Sequence, residues 1–216
     1  ASGYAAVWAN ENAREALFTA MKRKEVYATT GSRIRVRFFG GWELSRAMID
    51  KPNYEELGYR HGVPMGGDLT SAKENQAPRF IFSAARDPIG ANLDRVQIVK
   101  GWLDRNGKTR EKVYNVGWAG DRSIEQETGK LPPIGSTINF EDASYDNSIG
   151  GDSISGVWFD PDFNANLPSF YYCRVIEIPR PRWTLKDSIF FEIKLPDEVS
   201  TVVQDRAYTS PIWYTP

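Results

Sequence analysis

The chain has 216 residues, and its 27 Lys and Arg almost balance its 28 Asp and Glu, for a formal net charge of −1. This balance argues against nucleic acid or an anionic membrane as the main partner. No apolar run is long enough to span a bilayer, and residues 1–9 lack the basic start and apolar stretch of a signal peptide. A single Cys and a single His exclude an internal disulfide, a thiolate metal cluster and a histidine-rich catalytic metal centre.

Residues 10–24 have the pattern of an amphipathic helix. Asn10 is placed to cap the first turn, and Glu11 and Glu15 put negative charge near the positive end of the helix dipole. Leu17 and Met21 lie four residues apart and therefore share one apolar face. A basic stretch at 22–24 completes the expected C-terminal end.

Two strands are predicted next, separated by Gly31. Residues 26–30 are rich in β-favouring side chains, and from 33 to 38 arginines alternate with apolar residues, so that the second strand has one cationic and one apolar face. The cationic face is either solvated over packed aliphatic stems or an anion site. A helix, a tight turn and a strand in this order are typical of the end of an α/β barrel. We therefore assign residues 1–39 to the end of a barrel domain, with the body of that domain upstream, and residues 40–216 to a C-terminal β domain.

A long loop is predicted over residues 40–78, with a short helix near 43–49. Loops of this length are uncommon in compact domains and are often functional or mobile. We expect few apolar anchors in it, and either mobility or an oligomer contact. Within it, His61 and Asp68 lie in a glycine-rich stretch where the backbone can approach a ligand, and they are candidate substrate-binding residues. The alternative for His61 is a solvated or locally hydrogen-bonded side chain.

The remainder is predicted to be mostly β. Asn106-Gly107 between two β-favouring runs is a strong hairpin signal. The predicted strands cover 79–84, 96–103, 111–118, 137–140, 156–159, 170–178, 188–193 and 211–214. The fold class expected is therefore mainly β: an antiparallel β-sandwich preceded by one α-helix and a strand left from the end of an α/β barrel.

Searches for catalytic motifs identify little within the chain. There is no G-x-S-x-G elbow and no glycine-rich nucleotide motif. Cys173 lies in a strand-like run and is expected to be a buried, inert thiol.

Residues 160–166 space oxygen ligands as a calcium loop does, but they lack the turn glycine, so that an Asx-rich turn is the better interpretation. Trp42 and Trp183, in loops, are the freest candidates for stacking on sugar rings.

Several long strings resemble an uncharacterised bacterial family that is catalogued as a domain of unknown function, whose members carry a barrel related to the polymerase-and-histidinol-phosphatase (PHP) metallohydrolases. The similarity extends over essentially the whole chain. It is carried by ASGYAAVWANENAREALFTAMKRKEVYATTGSRIRVRFFGGWEL, HGVPMGGDL, RDPIGANLDRVQIVKGWLD, KVYNVGWAGDR, GKLPPIG, FYYCRVIEIPRPRWT and RAYTSPIWYTP.

The resemblance implies a metal-dependent hydrolase, often exported, so that a periplasmic or secreted location is expected. The divalent metal and its ligands would lie in the upstream barrel, which is the expected partner of this chain. No catalytic residue and no metal ligand is assigned here. Because barrel active sites lie at the C-terminal ends of strands, Thr29, Thr30 and Arg33 are candidates to approach a substrate anion. The alternative is that they only shape the turn.

The first functional hypothesis is thus a fragment that is non-catalytic by itself, braces the barrel and contributes a loop to the substrate pocket. The alternative from another class is a carbohydrate-binding or interaction module that uses Trp42 and Trp183. A third is a purely structural dimerisation domain, which would make the protein a homo-oligomer.

Overall fold

The computed structural model describes residues 3–70, 72 and 76–216. The first two residues of the predicted 1–39 unit, and residues 71 and 73–75 of the predicted loop, lie outside this range. Strands contain 37% of the residues and helices 14%, so that the predicted mainly β class is confirmed. The strands are β1 Tyr4–Val7, β2 Val26–Thr29, β3 Arg35–Gly41, β4 Val63–Pro64, β5 Asp68–Leu69, β6 Arg79–Ala85, β7 Leu93–Leu103, β8 Thr109–Trp118, β9 Ser153–Phe159, β10 Ser169–Glu177, β11 Arg180–Pro181, β12 Val202–Val203, β13 Arg206–Thr209 and β14 Ile212–Tyr214. The helices are α1 Arg14–Lys22, α2 Arg46–Ile49, α3 Tyr54–His61 and α4 Trp183–Phe190.

The larger sheet is organised around β10. One edge of β10 pairs with β7, which in turn pairs with β8; the other edge pairs with β14 near its start and with β13 near its end. Strand β2 joins β13, and β1 joins β2. These pairs are antiparallel, whereas β5 joins β14 in parallel. The smaller sheet has the order β4-β3-β6-β9 and is antiparallel throughout.

The two sheets share one hydrophobic core, as expected for the predicted sandwich. Phe38, Phe80 and Phe82 of the smaller sheet are fully buried and belong to the same cluster as Tyr171 and Cys173 of the larger one. The rings of Phe80 and Tyr171 lie 4.5 Å apart between centroids. Removing each such side chain from water contributes about 1.5–3 kcal/mol to folding. Burial raises the pKa of the Cys173 thiol, so that the expected buried, unreactive cysteine is confirmed.

Three local predictions are wrong. Helix α1 begins at Arg14 after Ala13 and has no side-chain cap, so that Asn10 does not cap it. The strand predicted at 137–140 is reduced to a single bridge between Asn139 and Ser144. The strand predicted at 188–193 overlaps the end of α4 instead, because this helix is held by tertiary contacts at its start, where Thr184 and Leu185 are buried.

The segment 40–78 is better anchored than expected. It contains α2, α3, β4 and β5, and Leu44, Ile49, Met65 and Leu69 are all buried. The expected shortage of apolar anchors is therefore wrong. The sequence signal for α3 was present, because it has acidic residues in its first turn and basic residues in its last.

The predicted boundary at residues 39 and 40 falls inside β3. Strand β3 pairs with β6, and β2 pairs with β13, so that the N-terminal elements are built into the same two sheets as the later strands. The boundary does not coincide with a gap between sheets, and the division into two domains stays a prediction.

Candidate functional site

A cleft of about 600 Å³ lies where β2 ends and β3 begins. Thr29 and Arg33, two of the predicted site residues, line it together with Arg35 and Asp87. Apolar and aromatic residues from β1, β2, the turn before β3 and the segment between β6 and β7 form the rest of its wall: Tyr4, Ala5, Ala6, Tyr27, Ile34, Pro88 and Ile89. The cleft therefore combines an apolar interior with charged groups.

Asp87 fixes the position of Arg33 in this cleft. Its Oδ2 accepts hydrogen bonds from the backbone N–H of Arg33 at 2.8 Å and from Arg33 Nε at 3.4 Å, and its Oδ1 accepts one from the N–H of Ile89 at 3.2 Å. Burial raises the pKa of Asp87, but these N–H groups and the Arg33 charge outweigh burial and hold the pKa below its ordinary value. Asp87 is thus a carboxylate that holds Arg33 and offsets part of its charge.

The two threonines at the end of β2 play different roles. Thr29 is buried, and among the described residues its Oγ1 has no hydrogen-bond partner. The hydroxyl of Thr30 donates to Asp205 Oδ1 at 2.6 Å and accepts from the N–H of Arg206 at 3.0 Å. The Thr30 hydroxyl therefore ties the end of β2 to β13, whereas the Thr29 hydroxyl is buried without a partner among the described residues.

A buried carboxyl group that the sequence analysis missed lies close to this turn. Glu177, the last residue of β10, is fully buried, and neither of its carboxyl oxygens has a hydrogen-bond partner within the described part of the chain. Arg180 Nε is 4.0 Å from Glu177 Oε2, but this guanidinium bonds directly to Asp205. Burial raises the pKa of Glu177 to about 7, the Asp205 charge adds to this, and Ser32 and Arg180 only partly oppose it. The available signal was only that Glu177 is the one acidic residue of β10, which also contains Ser169 and Arg174.

His61 does not join this cleft. It is exposed at the end of α3, and its carbonyl oxygen lies 2.7 Å from the point where a side chain at Gly41 would begin. Gly41 ends β3, whereas the cleft residue Arg35 begins it. At about 3.3 Å per residue the two ends are about 20 Å apart.

Asp68 is also distant from the cleft. It pairs with Trp213 on β14, which lies level with Phe170 near the start of β10. Thr29 pairs with Ala207, which lies level with the other end of β10, five residues or about 17 Å away. The five predicted site residues therefore do not form one site within this chain, and their role in substrate binding stays a prediction.

The two candidate sugar-stacking tryptophans differ in exposure. Trp42 is half-buried, its Nε1 donates to the carbonyl of Thr70 at 2.9 Å, and its ring packs edge-on against Phe163 and Tyr214. Trp183 is 60% exposed at the start of α4. Trp42 is therefore part of the packing, and only Trp183 presents a free ring.

Residues 160–166 form the predicted Asx-rich turns. The Oδ1 of Asp160 accepts from the N–H of Asp162, and the Oδ1 of Asn164 accepts from the N–H of Asn166, both at 2.9 Å.

Across residues 3–70, 72 and 76–216, no three His, Cys, Asp or Glu side chains group closely enough to hold a metal ion. Over the same residues, no helix combines the length and apolar character needed to cross a bilayer.

Fold and site together define a mainly antiparallel β protein, in which the two main sheets share one core and β11 and β12 form a separate short sheet. Its cleft carries two arginines and a buried threonine. The chain belongs to the family described as Protein of unknown function (DUF3604), whose model matches residues 1–216. No curated protein and no solved structure is significantly similar to it.

Proposed function

We propose that this chain is the non-catalytic C-terminal part of an exported, PHP-like, metal-dependent hydrolase. In this proposal β1, α1 and β2 brace an upstream catalytic barrel, and the turn after β2 contributes to the substrate pocket. The observation that carries the proposal is the unpaired outer edge of β1.

Strand β1 terminates the larger sheet. Within the described residues it pairs only with β2, through Tyr4 to Val7, so that its outer N–H and C=O groups have no partner strand. An uncovered strand edge readily pairs with another strand, and folded proteins usually cover or blunt such edges. A strand of the upstream barrel is the partner that we propose for it.

Helix α1, next to this edge, presents apolar side chains to solvent. Ala20 is its only buried residue, whereas Phe18 is 65% and Met21 55% exposed. Tyr4, at the start of β1, is also exposed, and it lines the cleft at the end of β2. Neighbouring exposed apolar side chains of this size are typical of an interaction surface. This surface is consistent with docking against the barrel.

The metal would be bound outside this chain. The described residues offer no cluster of ligands, so that the divalent ion and the chemistry of hydrolysis are assigned to the upstream barrel. What this chain would contribute is recognition: Arg33 and Arg35, which line the cleft, can attract an anionic group of the substrate.

The proposal is tested by comparing residues 1–216 with the longer protein. We expect residues 1–216 to show no metal-dependent hydrolysis of chromogenic phosphate or carboxylic esters, and the longer protein to show it. In the longer protein, Phe18→Glu should loosen the attachment of this region and expose it to limited proteolysis. The control is Phe190→Glu, because Phe190 is 80% exposed on α4, which is not one of the elements of the proposed contact. Metal-dependent turnover by residues 1–216 at the rate of the longer protein would overturn the proposal, as would equal proteolysis of the two variants.

A further inference from the structure

Phe170 and Trp213 form a pair of neighbouring aromatic rings on the outer face of the larger sheet, which we call the aromatic platform. They are directly paired residues of β10 and β14, and their ring centroids lie 5.1 Å apart. The residues that flank them along the strands, Tyr171, Ile212 and Tyr214, point into the core and are buried. Because side chains alternate between the faces of a strand, the platform lies on the face turned away from the core.

Gly101 on β7 shapes this platform. It pairs with Phe170, and a Cβ added at Gly101 would sit 2.3 Å from Cζ and 2.5 Å from Cε1 of the Phe170 ring. The ring therefore lies over the glycine, across the surface of the sheet, with its outer side free of a β7 side chain. This arrangement holds the Phe170 ring by close packing from below, beside the Trp213 ring, which is inclined to it by 49°.

A cleft of about 450 Å³ opens at the platform, with mostly apolar walls. Trp213 is 43% exposed there. Core packing therefore does not account for this tryptophan, since a large part of its ring remains accessible to a ligand. The size of the cleft is that of a small-ligand site.

Carboxylates flank the platform at both ends of the same row. Glu111 on β8 pairs with Gly101, and Asp68 on β5 pairs with Trp213, so that both side chains point to the same face as the rings. With neighbouring strands about 4.8 Å apart, the row from Glu111 to Asp68 is about 19 Å long. Within the described residues neither carboxylate takes part in an ion pair, whereas the nearby Arg110 is paired with Asp104 at 3.0 Å.

We propose that the aromatic platform binds a neutral oligosaccharide, with one pyranose ring stacked on the platform and with Glu111 and Asp68 accepting hydrogen bonds from hydroxyl groups of sugars further along the same chain. The electron-rich face of an aromatic ring attracts the C–H groups of a sugar face. Carboxylates only accept hydrogen bonds, which suits hydroxyl donors and repels phosphate. These two carboxylates therefore favour a neutral sugar over a nucleotide. The inference assigns a binding site that is separate from the cleft at β2 and independent of the barrel.

The experiment is calorimetric titration of residues 1–216 with cellotetraose, laminaritetraose, mannotetraose and xylotetraose, with tryptophan fluorescence followed in parallel. We expect at least one oligosaccharide to bind and to change the tryptophan emission. Trp213→Ala should weaken that binding at least tenfold, and Glu111→Gln should weaken it without disturbing the fold. The matched control is Trp183→Ala, which removes another exposed tryptophan and should leave the affinity unchanged. Circular dichroism confirms that each variant is folded, and Trp213→Leu, which removes the aromatic ring but keeps apolar bulk, replaces Trp213→Ala if that variant fails to fold.

Four results would overturn the proposal. One is that none of the four oligosaccharides binds. A second is that binding survives the loss of Trp213, and a third is that it is lost with Trp183. The fourth is a different occupant of the platform. Binding of tetramethylammonium that depends on Trp213 would identify a cation site, and self-association in sedimentation that depends on Trp213 would identify an interface between copies of the chain. The titrations use residues 1–216 alone, so a negative result would not count against the proposed docking of this chain on a hydrolase barrel. Conversely, evidence against that docking would not count against the sugar site.

Discussion

Replacing Glu177 by Gln should remove a pH-dependent weakness from the fold. Burial and the nearby Asp205 raise the pKa of Glu177 from its ordinary value of 4.5 to about 7, while Ser32 and Arg180 oppose the change. Below pH 4.5 the carboxyl is protonated in both the folded and the unfolded chain and imposes no cost. As the pH rises toward 7, the unfolded chain releases this proton before the folded chain does, so that stability falls.

The size of the effect follows from the two pKa values. A tenfold change in proton affinity corresponds to about 1.4 kcal/mol, so that raising the pKa from 4.5 to about 7 costs the folded state about 3 kcal/mol at higher pH. Gln has nearly the same shape and no charge. We therefore expect Glu177→Gln to gain on the order of 3 kcal/mol in free energy of unfolding at about pH 8 and almost nothing near pH 4.5.

Urea unfolding followed by circular dichroism at several pH values between these limits measures this difference directly. Glu198→Gln, which removes an exposed carboxyl, serves as the control and should change the free energy of unfolding by less than about 0.5 kcal/mol. If wild type and Glu177→Gln lose stability with pH along parallel curves, the buried carboxyl does not govern the pH dependence and the reasoning is wrong.

Three further predictions concern stability. Asp160→Ala removes the carboxylate that lies 2.5 Å from the buried ammonium of Lys100, and it should lower the free energy of unfolding by about 3–5 kcal/mol in urea unfolding. A loss below about 1 kcal/mol would contradict a buried ion pair. Gly107→Ala places a side chain at a φ of 74° in the hairpin turn and should cost about 1 kcal/mol, seen as a lower Tm, whereas an unchanged Tm would contradict that turn. Phe82→Ala leaves a cavity at a fully buried position between the sheets and should lower the free energy of unfolding by about 3–5 kcal/mol. A loss of less than about 1 kcal/mol would contradict this prediction.

Local signals in the sequence predicted the elements whose conformation is locally determined. The Asn106-Gly107 pair predicted the hairpin of β7 and β8 because the turn needs positive φ, which Gly107 supplies. Alternation of arginines with apolar residues predicted β3 and its buried face, with Val36 and Phe38 in the core.

Elements that depend on tertiary contacts were not predicted. Helix α4 is rich in aromatic and β-branched residues that favour strands, and it is held by contacts such as the hydrogen bond from Thr184 Oγ1 to the carbonyl of Ser200 at 2.6 Å. Tertiary packing therefore overrode local propensity, and the strand predicted at 188–193 was wrong.

The candidate sites depend even more on long-range register. Thr30 meets Asp205 across 175 positions of sequence, and Phe170 meets Trp213 only because β14 pairs with the start of β10. The sequence singled out Thr29 and Arg33, which do share a cleft, from their position after a strand. It could not indicate Glu177 as a buried, unpaired acid, since no local pattern shows which neighbours reach its side chain.

Hydrogen–deuterium exchange at the backbone amides of β1 tests the central claim most directly. If β1 braces an upstream barrel, its outward amides exchange rapidly in residues 1–216 and slowly in the longer protein, where a barrel strand covers them. The amides of β10, paired on both edges within this chain, should exchange slowly in both. Equal exchange of the β1 amides in the two proteins would contradict the claim that this edge carries the barrel.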